Sequence, residues 1–242
     1  MGGVAMRALI LSDIHANLPA LEAILEKEKR YDLCLFLGDS IDYGSFPKEC
    51  VRFLRDHMHL GVMGNHDNAI ANNKDCGCRA DFKIYADETL SWHKSLLDDE
   101  DLVFLRSLPI TLYFHLDGLS IYMTHGAPDG NIYKYLREEE IGEEEIRGLE
   151  KYDLILVGHT HLQFKKQVGD VTIVNPGSVG LSRENYDACY AVLEDGHITL
   201  HRVPYDNRRT VEKLLQSPVS AFTKEGLSRI IGWTPPESLK VG

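Results

Sequence analysis

The fold of this chain is decided by residues 7–39, which read RALILSDIHANLPALEAILEKEKRYDLCLFLGD. Two short and almost continuously apolar runs, Arg7–Leu11 and Leu33–Leu37, are typical of strands buried on both faces of a sheet. Between them, residues 18–30 carry apolar side chains at helical spacing and end in two basic residues, which suit the last turn of a helix. The stretch therefore predicts a β-α-β unit with parallel strands.

The same alternation continues along the chain. Residues 47–57 have the pattern of a second helix, and three further apolar runs predict buried strands at Leu60–Met63, Leu119–Met123 and Leu154–Val157. Because strands joined by helical crossovers are parallel and connected right-handedly, this order predicts an α/β fold.

The last third of the chain has a different pattern. Tight turns at Gly169-Asp170 and Asp195-Gly196 predict antiparallel hairpins. The strands of these hairpins are predicted at residues 163–168, 171–174, 188–193 and 197–203. We expect one domain over residues 1–242, with a helical insert at about 68–107 and a C-terminal helical tail at about 207–242.

Charge and hydropathy exclude several classes of protein. The 242 residues include 26 Lys and Arg against 37 Asp and Glu, a net charge of −11, which disfavours binding to the phosphates of a nucleic acid. Apolar runs reach about five residues, against the roughly 20 that a membrane helix needs. The five cysteines have no disulfide-framework spacing, and no signal peptide is evident. We therefore expect a cytoplasmic protein with reduced thiols and no membrane partner.

Metal-competent or proton-competent side chains follow five of the predicted strands. Ligands of open α/β sheets lie outside the carboxyl ends of the strands, so these side chains are expected to converge on one pocket. They are Asp13, His15, Asp39, Asn65, His66, His125, His159 and His161.

These residue types suit a centre of two metal ions. Asp39 could bridge two cations, and the mixture of imidazole, carboxylate and amide donors favours Mn, Fe, Zn or Ni over Ca or Mg. Two such ions lower the pKa of a bridging water from about 15.7 towards 7 and clamp the oxygens of a phosphoryl group. His66 lies beside a predicted ligand and is itself spare, so it is a candidate to protonate a leaving alkoxide.

Five short blocks resemble the calcineurin-like metallophosphoesterase superfamily, and a sixth, Asn175-Pro-Gly-Ser178, is similar to its compact bacterial and archaeal phosphodiesterase branch. The resemblance spans roughly residues 7–203. It implies a four-layer αββα sandwich with two mixed sheets, and hydrolysis of phosphomonoesters or phosphodiesters by a bridging hydroxide at a dinuclear centre. The five blocks are Asp13-Ile-His15, Gly38-Asp39, Gly64-Asn-His-Asp67, His125-Gly126 and Gly158-His-Thr-His161.

The resemblance also implies a role for each site residue. The first of two divalent or trivalent transition-metal ions would be held by Asp13, His15, Asp39 and His161. The second would be held by Asp39, Asn65, His125 and His159. His66 matches the histidine implicated in protonating the leaving group.

Two departures bear on the substrate. Tyr43 stands where the protein Ser/Thr phosphatase branch carries a phosphate-binding Arg, and Asp67 stands where that branch has Glu. Both argue against the alternative of a protein phosphatase and favour a small soluble phosphoester. A catalytically silent protein-binding scaffold is the other alternative, although such relatives typically lose metal ligands and every expected ligand is present here.

The helical insert carries further candidates. Lys74 and Arg79 could reach over the site and bind substrate phosphate, or could simply lie on a solvated face. Cys76 and Cys78 are interpreted as a reduced, helix-breaking turn, because no second cysteine pair follows at zinc-finger spacing. The acidic run Arg137–Glu145 is interpreted as a solvated helix.

Overall fold

The computed structural model describes residues 6–234, which contain two five-stranded sheets. The first sheet has the strand order β10-β9-β1-β2-β3, formed by β1 (Ala8–Leu11), β2 (Leu33–Phe36), β3 (Leu60–Gly61), β9 (Ala188–Glu194) and β10 (His197–Val203). The second has the order β4-β5-β6-β8-β7, formed by β4 (Thr111–Leu116), β5 (Leu119–Thr124), β6 (Leu154–Leu156), β7 (Gln163–Val168) and β8 (Val171–Pro176).

Both sheets are mixed. In the first, β1, β2 and β3 are parallel, whereas β9 and β10 are antiparallel to their neighbours. In the second, β5, β6 and β8 are parallel, and β4 and β7 form antiparallel edges. The predicted parallel β-α-β-α-β opening and the predicted later hairpins are confirmed.

Seven α-helices lie within residues 6–234. They are α1 (Leu18–Lys27), α2 (Pro47–His57), α3 (Asn65–Asn72), α4 (Ala80–Leu96), α5 (Asp99–Ser107), α6 (Arg208–Leu215) and α7 (Ala221–Ile231). The predicted insert thus comprises most of α3 together with α4 and α5, and the predicted tail begins with α6 and α7. The rest of that tail, residues 235–242, lies outside the described residues. No helix within 6–234 has the length and apolar character needed to cross a bilayer.

The alternation of side chains along β1 shows where the core lies. Ala8 and Ile10 face the second sheet, and Leu9 and Leu11 face the helices on the other side. Between the sheets they meet Leu35, Leu37, Ile121, Met123, Leu154 and Leu156. Each such fully buried aliphatic side chain contributes about 1.5–3 kcal/mol to folding. The predicted sandwich of two mixed sheets with helices is confirmed.

One strand was missed and one local prediction was wrong. The edge strand β4 was not predicted, because its side chains alternate between exposed and half-buried and form no continuous apolar run. The run Arg137–Glu145 is not a helix: its only regular part is a 3₁₀ turn at Glu138–Glu140. Gly142, two residues after this turn, disfavours helix propagation, and Ile141 between them is buried against the outer face of the second sheet.

Candidate metal centre

The predicted site residues follow the strands: most lie in tight loops, and Asn65 and His66 begin α3. Asp13 and His15 follow β1, Asp39 follows β2, and His125 follows β5. Five predicted ligands have left-handed backbone conformations, which cost non-glycine residues of order 1–3 kcal/mol each and persist only when the surrounding structure fixes them. Their φ angles are 52° at Asp13, 47° at His15, 62° at Asp39, 64° at His159 and 61° at His161.

One group of donors is formed by Asp13, His15 and His161, all buried, with one ligand atom of each within 4.8 Å of the others. Asp13 Oδ1 lies 3.2 Å from His161 Nε2 and 3.9 Å from His15 Nε2. The two Nε2 atoms lie 3.1 Å apart. These three residues form the first of the two sets that the sequence predicts, without the bridging Asp39.

A second group is formed by Asp39, His125 and His159, again within 4.8 Å. Asp39 Oδ2 lies 3.2 Å from His125 Nε2, and Asn65 Oδ1 lies 2.9 Å from the same nitrogen. Asp39 Oδ2 is also 3.9 Å from His15 Nε2 in the first group. Asp39 therefore lies between the two groups, as a bridging ligand must.

Backbone carbonyls fix the orientation of three of the imidazoles. The Nδ1 atoms of His15, His125 and His161 lie 3.0, 2.7 and 2.7 Å from the carbonyl oxygens of Ile41, Leu37 and Leu181. A carbonyl only accepts, so each neutral ring carries its proton on Nδ1 and turns the lone pair of Nε2 towards the site. This is the arrangement that metal-binding histidines use.

Several of the donor atoms lack the hydrogen-bond partners that buried polar atoms normally have, and bound cations would take the place of those partners. Asp13 Oδ1, Asp39 Oδ2 and His159 Nε2 are buried and have no hydrogen-bond partner among the described residues. Buried unpaired acceptors cost about 1–3 kcal/mol each, and more when charged. Positive charge placed between them removes that cost, so the residues present fit a pair of metal ions.

Burial and neighbouring charges shift the pKa values of the imidazoles at this site in opposite directions. Burial opposes a charge on His125, but the carboxylate of Asp39 outweighs it and raises the pKa of that imidazole to about 9. Burial lowers the pKa of His15 and of His159 to about 3, which keeps both imidazoles neutral. Burial opposes ionisation of Asp13 and Asp39, but the nearby charges of His161 and His125 outweigh it and lower the pKa of both carboxyls.

Asp67 and the Asn175–Ser178 block hold the loops in place. Asp67 Oδ2 accepts from the amide of Asp39 at 2.8 Å, and Oδ1 accepts from the amide of Ser40 at 2.9 Å. Asn175 Nδ2 donates to the Gly158 carbonyl at 2.7 Å, and Ser178 Oγ donates to the Asp13 carbonyl at 2.8 Å. Both blocks thus support the ligand loops through hydrogen bonds to their backbone.

His66 lies beside the centre and contacts Asp42, a residue that the sequence analysis missed. His66 Nδ1 is 2.5 Å from Asp42 Oδ2, and its Nε2 is 4.0 Å from Asp39 Oδ2. Burial opposes a charge on His66, but the carboxylates of Asp39 and Asp42 raise its pKa to about 10. Thr89 on α4 also donates to Asp42. The available signal was the position of Asp42 in the same tight loop as Asp39.

The remaining candidates are placed as follows. Tyr43 is buried, with its ring centroid 5.1 Å from those of both His15 and His66. Lys74 is exposed in the turn between α3 and α4. Cys76 and Cys78 are free thiols in that turn, and the Cys76 carbonyl accepts a hydrogen bond of 2.8 Å from Asn65 Nδ2. That bond leaves Asn65 Oδ1 directed at the centre, a role for the backbone of Cys76 that no sequence pattern indicated.

A family model for the calcineurin-like phosphoesterase superfamily domain matches residues 6–195. The chain is 31% identical over 239 residues to the uncharacterized protein MJ0912 of Methanocaldococcus jannaschii, covering 90% of this chain and 96% of that one. It is 24% identical over 202 residues to phosphodiesterase YfcE of Escherichia coli, covering 78% and 88%.

Solved structures have the same fold. A metallophosphoesterase from Sphaerobacter thermophilus matches with a TM-score of 0.76 at 30% identity, covering 92% of this chain and 99% of that one. The hypothetical protein PH1004 from Pyrococcus horikoshii matches with a TM-score of 0.77 at 23% identity, covering 94% and 99%.

Proposed function

Because the chain belongs to the calcineurin-like phosphoesterase superfamily and is a hydrolase of that family, we propose that it cleaves small phosphoesters at a centre of two metal ions. The first ion would be held by Asp13, His15, Asp39 and His161, and the second by Asp39, Asn65, His125 and His159. The observation that carries the proposal is the convergence of unpaired buried acceptors on both sides of Asp39.

The chemistry of the site depends on what these ligands would hold. When bound, a pair of Mn, Fe, Zn or Ni ions supplies Lewis-acid chemistry, drawing charge from phosphoryl oxygens and lowering the pKa of water. His15 and His159 remain neutral because burial lowers the pKa of both imidazoles to about 3, and the Ile41 carbonyl keeps the Nε2 atom of His15 directed at the centre.

His66 is proposed to donate a proton to the leaving group. Its Nδ1 is fixed by Asp42, so Nε2 faces the centre and can donate a proton to the leaving oxygen. Asp42 is a positioning residue: it holds the ring and stabilises its charged form, and Thr89 holds Asp42 in turn.

Phosphodiesters and phosphomonoesters are the proposed substrate class. The E. coli relative is named a phosphodiesterase, which supports including diesters. Tyr43 packs against His15 and His66 and offers no cation to a phosphoprotein, so a protein phosphatase is disfavoured. We propose a cytoplasmic location from the five free thiols, and no nucleic-acid partner from the net charge of −11.

Metal content and hydrolysis together test this proposal. The purified protein, loaded with Mn²⁺, is expected to retain about two ions per chain and to hydrolyse bis(p-nitrophenyl) phosphate or p-nitrophenyl phosphate. Chelation is expected to abolish turnover, and added Mn²⁺ to restore it. A protein that neither retains metal nor turns over after loading would refute the proposal and favour a protein-binding scaffold.

A further inference from the structure

Three arginines from separate segments line one cavity next to the candidate metal centre. Arg79 precedes α4, Arg137 precedes the 3₁₀ turn, and Arg183 follows β8. The cavity has a volume of about 420 Å³ and is also lined by Tyr135 and Thr160. In a chain of net charge −11, this local excess of positive charge is a distinct feature of the surface.

The cavity adjoins the metal centre through two of its lining residues. Thr160 stands between the predicted ligands His159 and His161 in the chain. The ring centroid of Tyr135 lies 4.0 Å from that of His159, with 35° between the planes. A ligand in the cavity is therefore a direct neighbour of a group held at the centre.

Aromatic rings fix the position of Arg183. Its guanidinium carbon lies 5.4 Å from the centroid of Phe82 and 5.7 Å from that of Tyr135. A guanidinium held over ring faces is attracted to them and loses little further freedom when it binds an anion. Among the described residues, Arg183 is thus held in place by aromatic rings and not by an ion-paired carboxylate.

The charge of Arg183 is also unpaired. Within residues 6–234 its guanidinium forms no salt bridge with a carboxylate, since the adjacent Glu184 pairs with Arg202 instead. Arg79 pairs with Asp81 at 3.0 Å, and the guanidinium of Arg137 lies 3.9 Å from Glu139. Arg183 therefore has no ion-paired carboxylate within this range to displace before it binds an external anion, and the other two arginines add to the field around it.

We propose that this cavity binds a second phosphate group of the substrate, so that the substrates of this enzyme carry two or more phosphates. Phosphate is favoured over a carboxylate because it carries more negative charge and offers more oxygens, two of which the Arg183 guanidinium can bind side by side. The inference rests on the proposed function, in which the metal centre holds the phosphoryl group to be cleaved. Arg183 is then the residue that determines specificity.

Calorimetric binding of phosphate and of pyrophosphate to the Mn²⁺-loaded protein tests the proposal. The wild type is expected to bind pyrophosphate about tenfold more tightly than phosphate or better, and Arg183→Gln to reduce that ratio to about threefold or less. Arg183→Lys, which keeps the charge but loses the two-pronged contact, is expected to fall between them. All titrations use the same free Mn²⁺ concentration, so chelation by pyrophosphate affects each protein equally.

Arg229→Gln is the matched control, because it removes an exposed arginine on α7 that pairs with Glu225. This variant is expected to keep the wild-type ratio of pyrophosphate affinity to phosphate affinity. The proposal would be overturned if wild type and Arg183→Gln had the same ratio, or if the control lost as much of its preference for pyrophosphate as Arg183→Gln does.

The two proposals fail in different ways. If the protein prefers pyrophosphate but hydrolyses no phosphoester after Mn²⁺ loading, the result supports phosphate binding in the cavity and refutes the proposed function. If the protein hydrolyses bis(p-nitrophenyl) phosphate but shows no preference for pyrophosphate, the result refutes only the proposal that the cavity binds a second phosphate.

Discussion

The Nε2 atoms of His15 and His161 lie 3.1 Å apart in the buried site, and the Nδ1 atom of each ring contacts a backbone carbonyl. When both rings are neutral and carry the proton on Nδ1, two Nε2 lone pairs face each other and repel unless positive charge lies near them. The same neighbourhood contains Asp13 Oδ1, a carboxylate oxygen without a hydrogen bond. Bound cations would remove this repulsion between the donor atoms.

Metal removal is expected to destabilise the fold. A ligand that binds only the folded state at 100 times its Kd stabilises it by about 2.7 kcal/mol, so chelation should lower the Tm by several degrees and added Mn²⁺ should restore it. Differential scanning calorimetry measures this change. In His161→Ala, which lacks one proposed ligand, the response to Mn²⁺ should shrink. If neither the chelator nor Mn²⁺ changes the Tm of the wild type, the proposed metal centre is contradicted.

Asp39→Asn is expected to be the most damaging single change at the centre. The amide keeps the shape of Asp39 but loses the charge that lies between both donor groups, so bound metal and turnover should both fall, turnover by about 100-fold or more. The assay is hydrolysis of an aryl phosphoester with added Mn²⁺. Asp170→Asn, in an exposed turn, is the control. Wild-type turnover in Asp39→Asn would show that these roles are wrong.

His66→Ala is expected to lose turnover while still binding metal. General acid catalysis contributes about 10²–10⁴-fold, so kcat should fall within that range for an ester with a poor alkoxide leaving group and much less for p-nitrophenolate. Asp42→Asn should show the same dependence on the leaving group, more weakly, because Asp42 acts through His66. A matching loss of bound metal in His66→Ala would make His66 a structural ligand instead.

His93 is expected to make the protein sensitive to acid. It is fully buried, its Nε2 donates to the Gly44 carbonyl at 3.0 Å, and its Nδ1 accepts from the amide of Asp42 at 3.2 Å, so the ring is neutral. Burial lowers its pKa from 6.5 to about 4, although the charge of Asp42 partly opposes this. Between those pH values the unfolded chain binds the additional proton.

The stability that neutral His93 provides is therefore complete above pH 6.5 and is lost as the pH falls towards 4. Urea unfolding should show about 2 kcal/mol less stability from this group at pH 5 than at pH 8. Because other groups titrate too, the comparison is with His93→Gln, whose free energy of unfolding should fall less over the same range. Parallel pH profiles in the two proteins would contradict the prediction.

Much of the fold could be predicted because buried parallel strands are nearly continuous apolar runs. β1 and β2 are such runs, whereas β4 lies at a sheet edge, alternates in exposure and has no comparable signal. The acidic segment after Arg137 has a helix-like composition, but Gly142 and the burial of Ile141 prevent a regular helix.

The predicted ligands could be named because each follows a strand, and strand ends meet at one edge of a sheet. The residues that hold these ligands in place, and the arginine cavity beside them, depend on tertiary packing that local sequence patterns do not encode. Asp42, in the loop after β2, contacts His66 in the first turn of α3, and the Cys76 carbonyl of the insert holds Asn65. Arg183 reaches its cavity from the loop after β8. No periodicity or spacing in the sequence relates these pairs.

The left-handed conformations at Asp13, His15, Asp39, His159 and His161 would have a consequence for ion selectivity at the proposed metal centre. The loops are fixed by their own backbone and by hydrogen bonds to Asp67, so the spacing of the donor atoms would be set before an ion binds. A cation of unsuitable radius cannot draw the donors closer without disturbing several loops at once. Discrimination among metals in this protein would then reside in the rigidity of its main chain as much as in the chemistry of its side chains.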